Sequence, residues 1–295
     1  ALVPVTTPPP ATPTTAPTTT SVTAPATTPP TDPVTTLPAA PVTDPPPVSS
    51  TLPPVPELAR PLRIVVTGDS TANALGAGVV GWAAATPDRA QVEVAGGAGC
   101  GFVTGGERRY ADEMRPDTDC IGWVDDVVLP VVERTQPDVV VVMASVWDVI
   151  DRRWDDGEPR SPLDPEYRAH LDVAYTDLVD RLVAAGAGRV AFVNEPVPDV
   201  WWGADVHNED EPERHHVLYD VFASLARSRP DSVAVIPFAE WFSANGYDRD
   251  KAMRPDGIHL APDAATDIVT RYLGDQFVRA ALGLSTRLGE WSDAP

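Results

Sequence analysis

No stretch of this 295-residue chain holds roughly 18 consecutive apolar residues, so none reads as a membrane-spanning helix. The chain opens neither on Met nor on the basic start and apolar core of a signal peptide. Basic residues are scarce: 22 Lys and Arg stand against 43 Asp and Glu, a formal net charge of −21. That imbalance argues against nucleic acid and anionic membrane surfaces as partners, since both would be repelled. Cysteine is limited to Cys100 and Cys120, and with no His or Cys pair beside them they do not make a zinc site. No His-Glu-X-X-His, phosphate loop or dinucleotide fingerprint occurs, so no metal or organic cofactor is expected. There is no Asn-X-Ser/Thr sequon either.

Residues 1–56 lack glycine and aromatics altogether and carry only two charges, Asp32 and Asp44; they hold 18 Pro and 16 Thr instead. Such a segment cannot bury enough apolar surface to offset its ordering entropy, so it is expected to be a disordered linker or stalk. In polyproline II form, at about 3.1 Å per residue, it would reach roughly 170 Å. Its composition fits an O-glycosylated stalk. Residues 57–295 have the composition of one globular domain. A spacer implies something to be spaced from, and the expectation is a piece of a longer protein tethered upstream. A secreted enzyme with an exposed N-terminal tail is the alternative. The even cysteine count, the short loop and the Gly/Asp-rich surroundings point to one Cys100–Cys120 disulfide in an oxidising compartment. Two separate buried thiols are the other reading.

Strand-like and helix-like runs alternate through the second part. Residues 62–67, 91–95, 138–144, 189–193 and 233–237 read as strands, the third as a central strand buried on both faces. Helical spacing covers 71–85, 121–136 (with Pro130 as a kink), 165–185, 212–228 and 262–282. Residues 104–119 are charged and read as irregular. Five strands separated by helices predict a doubly wound parallel sheet, with ligands at the carboxyl ends of its strands.

At the end of the first strand stands Gly68-Asp69-Ser70, followed by a helix. A hydroxyl there faces backbone N–H groups and a positive helix end, which favours negative charge developing beside it. The alternative is a serine that merely caps the helix. Before the last helix stands Asp256-Gly257-Ile258-His259. An Asp three residues before a His, bent by a Gly, can hold the imidazole Nδ1–H and leave Nε2 for a hydroxyl. The order of the two motifs resembles the SGNH (GDSL-type) hydrolase superfamily, over about residues 62–282. The resemblance implies a flavodoxin-like three-layer α/β/α sandwich with a parallel five-stranded sheet, and metal-free ester hydrolysis or acyl transfer. It implies Ser70 as nucleophile, His259 as general base and acid, and Asp256 as its orienting partner. It also implies an oxyanion hole shared by Ser70 and a glycine after the second strand, best placed at Gly99, with Gly97 and Gly101 as alternatives. A nucleophile elbow of the α/β-hydrolase kind is rejected, because Ser70 follows the first strand and Asp256 lies three residues from His259.

One block departs from the family's Gly-X-Asn-Asp, whose Asn donates to the oxyanion. Here the central strand runs into Ser145-Val146-Trp147-Asp148, with Trp147 at the Asn position. Loss of such a donor costs about 10²–10³ in rate. Trp147, Asn73 and Asn194 are candidate replacements, and a packing role for Trp147 is the alternative; Asp148 is taken as structural. The same departure, with Gly99-Cys100-Gly101, is similar to extracytoplasmic SGNH domains that follow an acyltransferase-3 membrane part. That likeness implies O-acylation of cell-envelope polysaccharide, an upstream membrane acyltransferase as partner, and a cell-surface or extracellular location. His170, His215 and His216 are expected on helix surfaces, His207 in a solvated acidic loop, and Trp201-Trp202-Gly203 as a sugar platform or packing. The expected activity is serine-dependent O-acyl ester hydrolysis or transfer on an acylated carbohydrate through an acyl-Ser70 intermediate. The rival is an inactive SGNH-fold module that binds glycan or supports a membrane acyltransferase.

Overall fold

A computed structural model describes residues 54–144, 146–155, 157–200 and 208–286. The expectations placed on residues 1–53, Ser145, Trp201-Trp202-Gly203 and His207 lie outside the described residues.

Five parallel strands form the central sheet: β1 (Leu62–Gly68), β2 (Ala90–Gly96), β5 (Val139–Met143), β7 (Val190–Val193) and β8 (Val233–Ile236). Their spatial order is β2-β1-β5-β7-β8, the flavodoxin-like 2-1-3-4-5 when only these strands are counted. The inner strands β5 and β7 are short, apolar and wholly buried, which suits a sheet covered on both faces. Alternate side chains serve separate cores. Val140 and Val142 join Val65, Val190 and Phe192 on one face, while Val139, Val141 and Met143 join Ile64, Val66, Ala191 and Val193 on the other. The first face is covered by a segment at 124–135 and by α4 (Pro165–Ala184) and α5 (Pro212–Ser228). The second is covered by α1 (Ser70–Ala85), α6 (Phe238–Ala244), α7 (Pro262–Ile268) and α8 (Gly274–Ala281). The fold is thus the expected three-layer α/β/α sandwich.

The helix expected at 121–136 begins later and in two parts. Val124–Val128 makes a single π turn, closed by the Leu129 N–H on the Val124 carbonyl, and α2 (Leu129–Thr135) follows. Pro130 has no N–H to continue an α ladder through this point, so a wider turn takes its place.

Residues 104–119 are not irregular. β3 (Glu107–Tyr110) and β4 (Glu113–Pro116) form an antiparallel hairpin, and β6 (Arg152–Arg153), after the short helix α3 (Val146–Val149), pairs with β3 to complete a second sheet. Ion pairs, not apolar alternation, fix it. Arg152, wholly buried, donates to Asp117 at 2.7 Å, and Arg108 Nε lies 3.2 Å from the other Asp117 oxygen. Asp151 receives Arg109 at 2.9 Å and Arg214 at 2.6 Å. Buried charges need such partners, and the partners are distant in sequence.

Cys100 and Cys120 are joined by a disulfide that closes the loop carrying both strands of this hairpin. Cys100→Ser with Cys120→Ser is expected to cost about 3 kcal/mol in equilibrium unfolding, from the freedom returned to the unfolded chain. Equal stability of the double variant and the parent would contradict this.

His215 corrects another expectation: it is fully buried on α5, not at the surface, whereas His216 is exposed and His170 stacks on Trp154. His215 Nε2 donates to the Glu209 carbonyl at 2.7 Å, and Nδ1 is buried without a hydrogen-bond partner. Burial pushes its pKa down to about 4, and the nearby Arg214 and Arg254 act in the same direction. The unfolded imidazole titrates near 6.5. Between those values the unfolded state takes up a proton that the native state refuses, so stability falls as pH drops from about 6.5 to about 4. The loss amounts to about 3 kcal/mol. Urea unfolding of His215→Gln should show a flatter pH dependence across that window; an unchanged slope would place the titration elsewhere.

Candidate active site

The first strand delivers Ser70. At Gly68 the backbone takes φ +148°, and a Cβ there would overlap the Met143 carbonyl of the neighbouring strand. Only glycine lets β1 and β5 close up at this point before the chain turns into α1. Asp69 is the N-cap: its Oδ1 accepts the Thr71 N–H at 2.8 Å and the Thr71 hydroxyl at 2.6 Å. With the cap supplied by Asp69, Ser70 is the first helical residue and its hydroxyl is left for another partner.

That partner is His259. Ser70 Oγ lies 2.7 Å from His259 Nε2, and His259 Nδ1 lies 2.7 Å from Asp256 Oδ2. The two motifs, 189 residues apart, meet at the carboxyl end of β1. The turn that holds them is made locally. Asp256 Oδ1 accepts the N–H groups of Ile258 at 2.9 Å and His259 at 2.8 Å. Gly257 takes φ +83°, and its carbonyl accepts the Asp199 N–H at 3.0 Å. Burial pushes the Asp256 carboxyl up, but the hydrogen bonds from His259 and from the two backbone N–H groups outweigh it, and the net pKa is below the ordinary carboxylate value. Asp256 is therefore an anion at neutral pH, the charge required to keep the proton on Nδ1 and the lone pair on Nε2. The His259 and Asp256 side chains are 35% and 39% exposed, so the site opens to solvent.

The loop after β2 lies alongside. The Gly97 N–H donates to the Gly68 carbonyl at 2.8 Å, which engages it within the fold. Gly101 is pressed against the Asp148 carboxylate, and its carbonyl accepts the Trp123 indole N–H at 3.0 Å. Gly99 has φ +79° with open space where a side chain would stand. Its carbonyl accepts from Arg108.

Asp148 anchors this loop. Its oxygens accept the Phe102 N–H at 3.0 Å, the Val103 N–H at 2.7 Å and the Tyr175 hydroxyl at 2.9 Å, all buried. Burial raises its pKa against the pull of these bonds. Trp147 packs against the hairpin: its ring stacks near Tyr110 (13° between planes) and the Arg108 guanidinium lies 4.4 Å over it. Of the other candidate donors, buried Asn194 directs its amide to Glu240 at 3.3 Å, while exposed Asn73 lies against Gly96 beside the loop.

Sequence reasoning missed Glu195. It is 3% exposed, directly after β7, and its Oε2 lies 2.8 Å from Thr71 Oγ1. The only local signal was a polar Asn194-Glu195 pair ending an apolar strand.

Residues 43–273 match a family model described as SGNH domain (fused to AT3 domains). Among solved structures, a putative acylhydrolase from Bacteroides fragilis is 14% identical, with 76% of this chain and 92% of that one covered and a TM-score of 0.50. A lipase/acylhydrolase from Enterococcus faecalis is 18% identical over 77% of this chain and all of that one, with a TM-score of 0.48. The periplasmic domain of a lipopolysaccharide acetyltransferase from Salmonella ser. Paratyphi A is 12% identical over 75% and 85%, with a TM-score of 0.44. No curated protein matches the sequence significantly. A family match over most of the domain, on a flavodoxin-like sheet with Ser, His and Asp in line at its carboxyl edge, makes this chain a member of the SGNH-domain family described as fused to AT3 domains, and a serine esterase or acyltransferase.

Proposed function

We propose that this domain transfers acyl groups to or from the hydroxyls of a cell-envelope carbohydrate, through an acyl-Ser70 intermediate. The reading rests above all on one observation: Ser70 Oγ and Asp256 Oδ2 each lie 2.7 Å from opposite nitrogens of His259. Ser70 Oγ attacks the ester carbonyl while its proton passes to Nε2. The imidazolium formed is stabilised by Asp256. The oxyanion accepts from the N–H groups of Ser70 and Gly99 at the positive end of α1. Collapse breaks the carbonyl–alkoxy bond, and Nε2–H returns the proton to the leaving alcohol. Water or a sugar hydroxyl then takes the acyl group by the reverse steps.

Carbohydrate as the acceptor is supported by the family's fusion to AT3 domains, which the sequence likeness links to envelope polysaccharide. A location outside the cytoplasm is supported by the disulfide, and a stalk role for residues 1–56 by their Pro/Thr composition. Among the described residues no helix is long and apolar enough to cross a membrane. An upstream membrane acyltransferase is proposed as the partner on the family's fusion to AT3 domains. Trp147 occupies the place of the family's Asn donor; Asn73, beside the loop, is the proposed third donor.

A fluorophosphonate probe is expected to label the full chain at Ser70, with no labelling of Ser70→Ala. Equal labelling of Ser70→Ala would remove Ser70 as the nucleophile.

A further inference from the structure

Thr71 sits between two carboxyl groups and has one hydrogen for both. Its Oγ1 lies 2.6 Å from Asp69 Oδ1 and 2.8 Å from Glu195 Oε2. All three residues are buried, at 1% exposure for Asp69, 2% for Thr71 and 3% for Glu195. A threonine hydroxyl donates once and otherwise offers lone pairs. Whatever else the two carboxyls touch, with both ionised one of these contacts would set a lone pair against an anionic oxygen at hydrogen-bond distance. In a buried setting that repulsion is relieved by protonating one of them.

The surroundings choose which. Asp69 Oδ1 also accepts the Thr71 N–H at 2.8 Å, at the positive end of the 16-residue helix α1. That position favours an anion. Glu195 faces Asp69 across Thr71. From α5 it meets Tyr219, whose hydroxyl donates to the Glu195 carbonyl, with Glu240 beyond. Arg254 favours the ionised form, but its Nη atoms are bonded to the carbonyls of Pro196, Val197 and Asp248.

We infer that Glu195 is protonated at neutral pH and donates to Thr71, which in turn donates to Asp69. Glu195 is thereby a positioning residue: through Thr71 it fixes the N-cap of the helix whose first residue is Ser70. That one carboxyl is protonated stands on the hydrogen count, and that it is Glu195 stands on the helix end and N–H that hold Asp69 as the anion. Its effect on catalysis rests on the proposed role of Ser70.

The test is infrared difference spectroscopy of the full chain at pH 7, parent minus Glu195→Gln, with and without ¹³C-glutamate. A protonated-carboxyl C=O band that shifts with the label and is missing in the variant supports the inference. Carboxylate bands alone, or a protonated band insensitive to the label, overturn it. A second measurement needs no spectral assignment. A carboxyl held protonated in the native state loses its stabilising effect as pH rises above the unfolded value of about 4.3, so the parent's unfolding constant should rise relative to that of Glu195→Gln by about tenfold per pH unit above it. A ratio that is flat in pH overturns it. Glu195→Ala should lower kcat roughly 10–100-fold with KM unchanged, and Glu195→Gln, whose amide also donates, should restore it. Parent-like kcat in Glu195→Ala overturns the positioning role. A parent without ester turnover would count against the proposed function and leave the infrared and pH results to stand.

Discussion

His259→Ala is expected to lower kcat/KM for a small aryl acetate by about 10³-fold, with little change in thermal stability. Both parts follow from the same geometry. Nε2 is 2.7 Å from Ser70 Oγ, within reach of the proton it must take. The ring is partly exposed and held by polar contacts to Asp256 and Ser70, so little packing is lost with it. Groups that act as a unit are not additive, so Ser70→Ala with His259→Ala should be no slower than the more damaging single variant. Asp256→Asn tests the third member separately. The amide removes the anion that keeps the proton on Nδ1, and the loss should fall mainly in kcat. Parent-like turnover in His259→Ala would remove His259 as the base, whereas no turnover in the parent, with glycan binding intact in the triad variants, would favour the rival reading, a glycan-binding module that has kept the fold without the chemistry.

How much of this was legible in the sequence depends on the range of the interaction responsible. The parallel sheet was legible because burial on both faces leaves an unbroken apolar run, as in Val139–Met143. The Ser70 and His259 motifs were legible because their local geometry is built from adjacent residues: the Asp69 cap on Thr71, and the Asp256 carboxylate on the N–H groups two and three residues ahead. The hairpin at 107–116 was not. Its first strand carries Arg108 and Arg109, and what orders them is Asp117 and Asp151, with Arg152 and Arg214 behind them. No periodicity records such pairings. His215 is a different case. Positions 215, 218, 222 and 225 share the buried stripe of α5, so the spacing did point inward. The polarity of the side chain outweighed that spacing in the sequence reading, whereas in the fold one hydrogen bond to Glu209 suffices to hold a neutral imidazole inside.

Asp148→Ala is expected to destabilise the domain by about 4 kcal/mol and to lower kcat about 10²-fold. Asp148 is wholly buried, and three donors converge on it: the Phe102 and Val103 N–H groups and the Tyr175 hydroxyl. Without the carboxylate these buried donors lose their acceptor, at about 1–3 kcal/mol each, partly relieved where the loop can move. The loop that would move carries Gly99 three residues before Phe102, so the proposed oxyanion donor moves with it. Graded variants separate the two effects. Tyr175→Phe removes one hydroxyl together with its need for an acceptor, and should cost about 1 kcal/mol with kcat almost intact. Asp148→Asn keeps an oxygen for Val103 but turns an amide N–H₂ toward the Phe102 N–H, so its stability should fall between the other two. If the loop acts through the oxyanion, kcat should follow this same order while KM for a small ester stays level, because the donor acts on charge that exists only in the transition state. A loss of stability without a matching loss of kcat would mean that Asp148 holds up the fold and that the oxyanion is received elsewhere, with Asn73 the next residue to change.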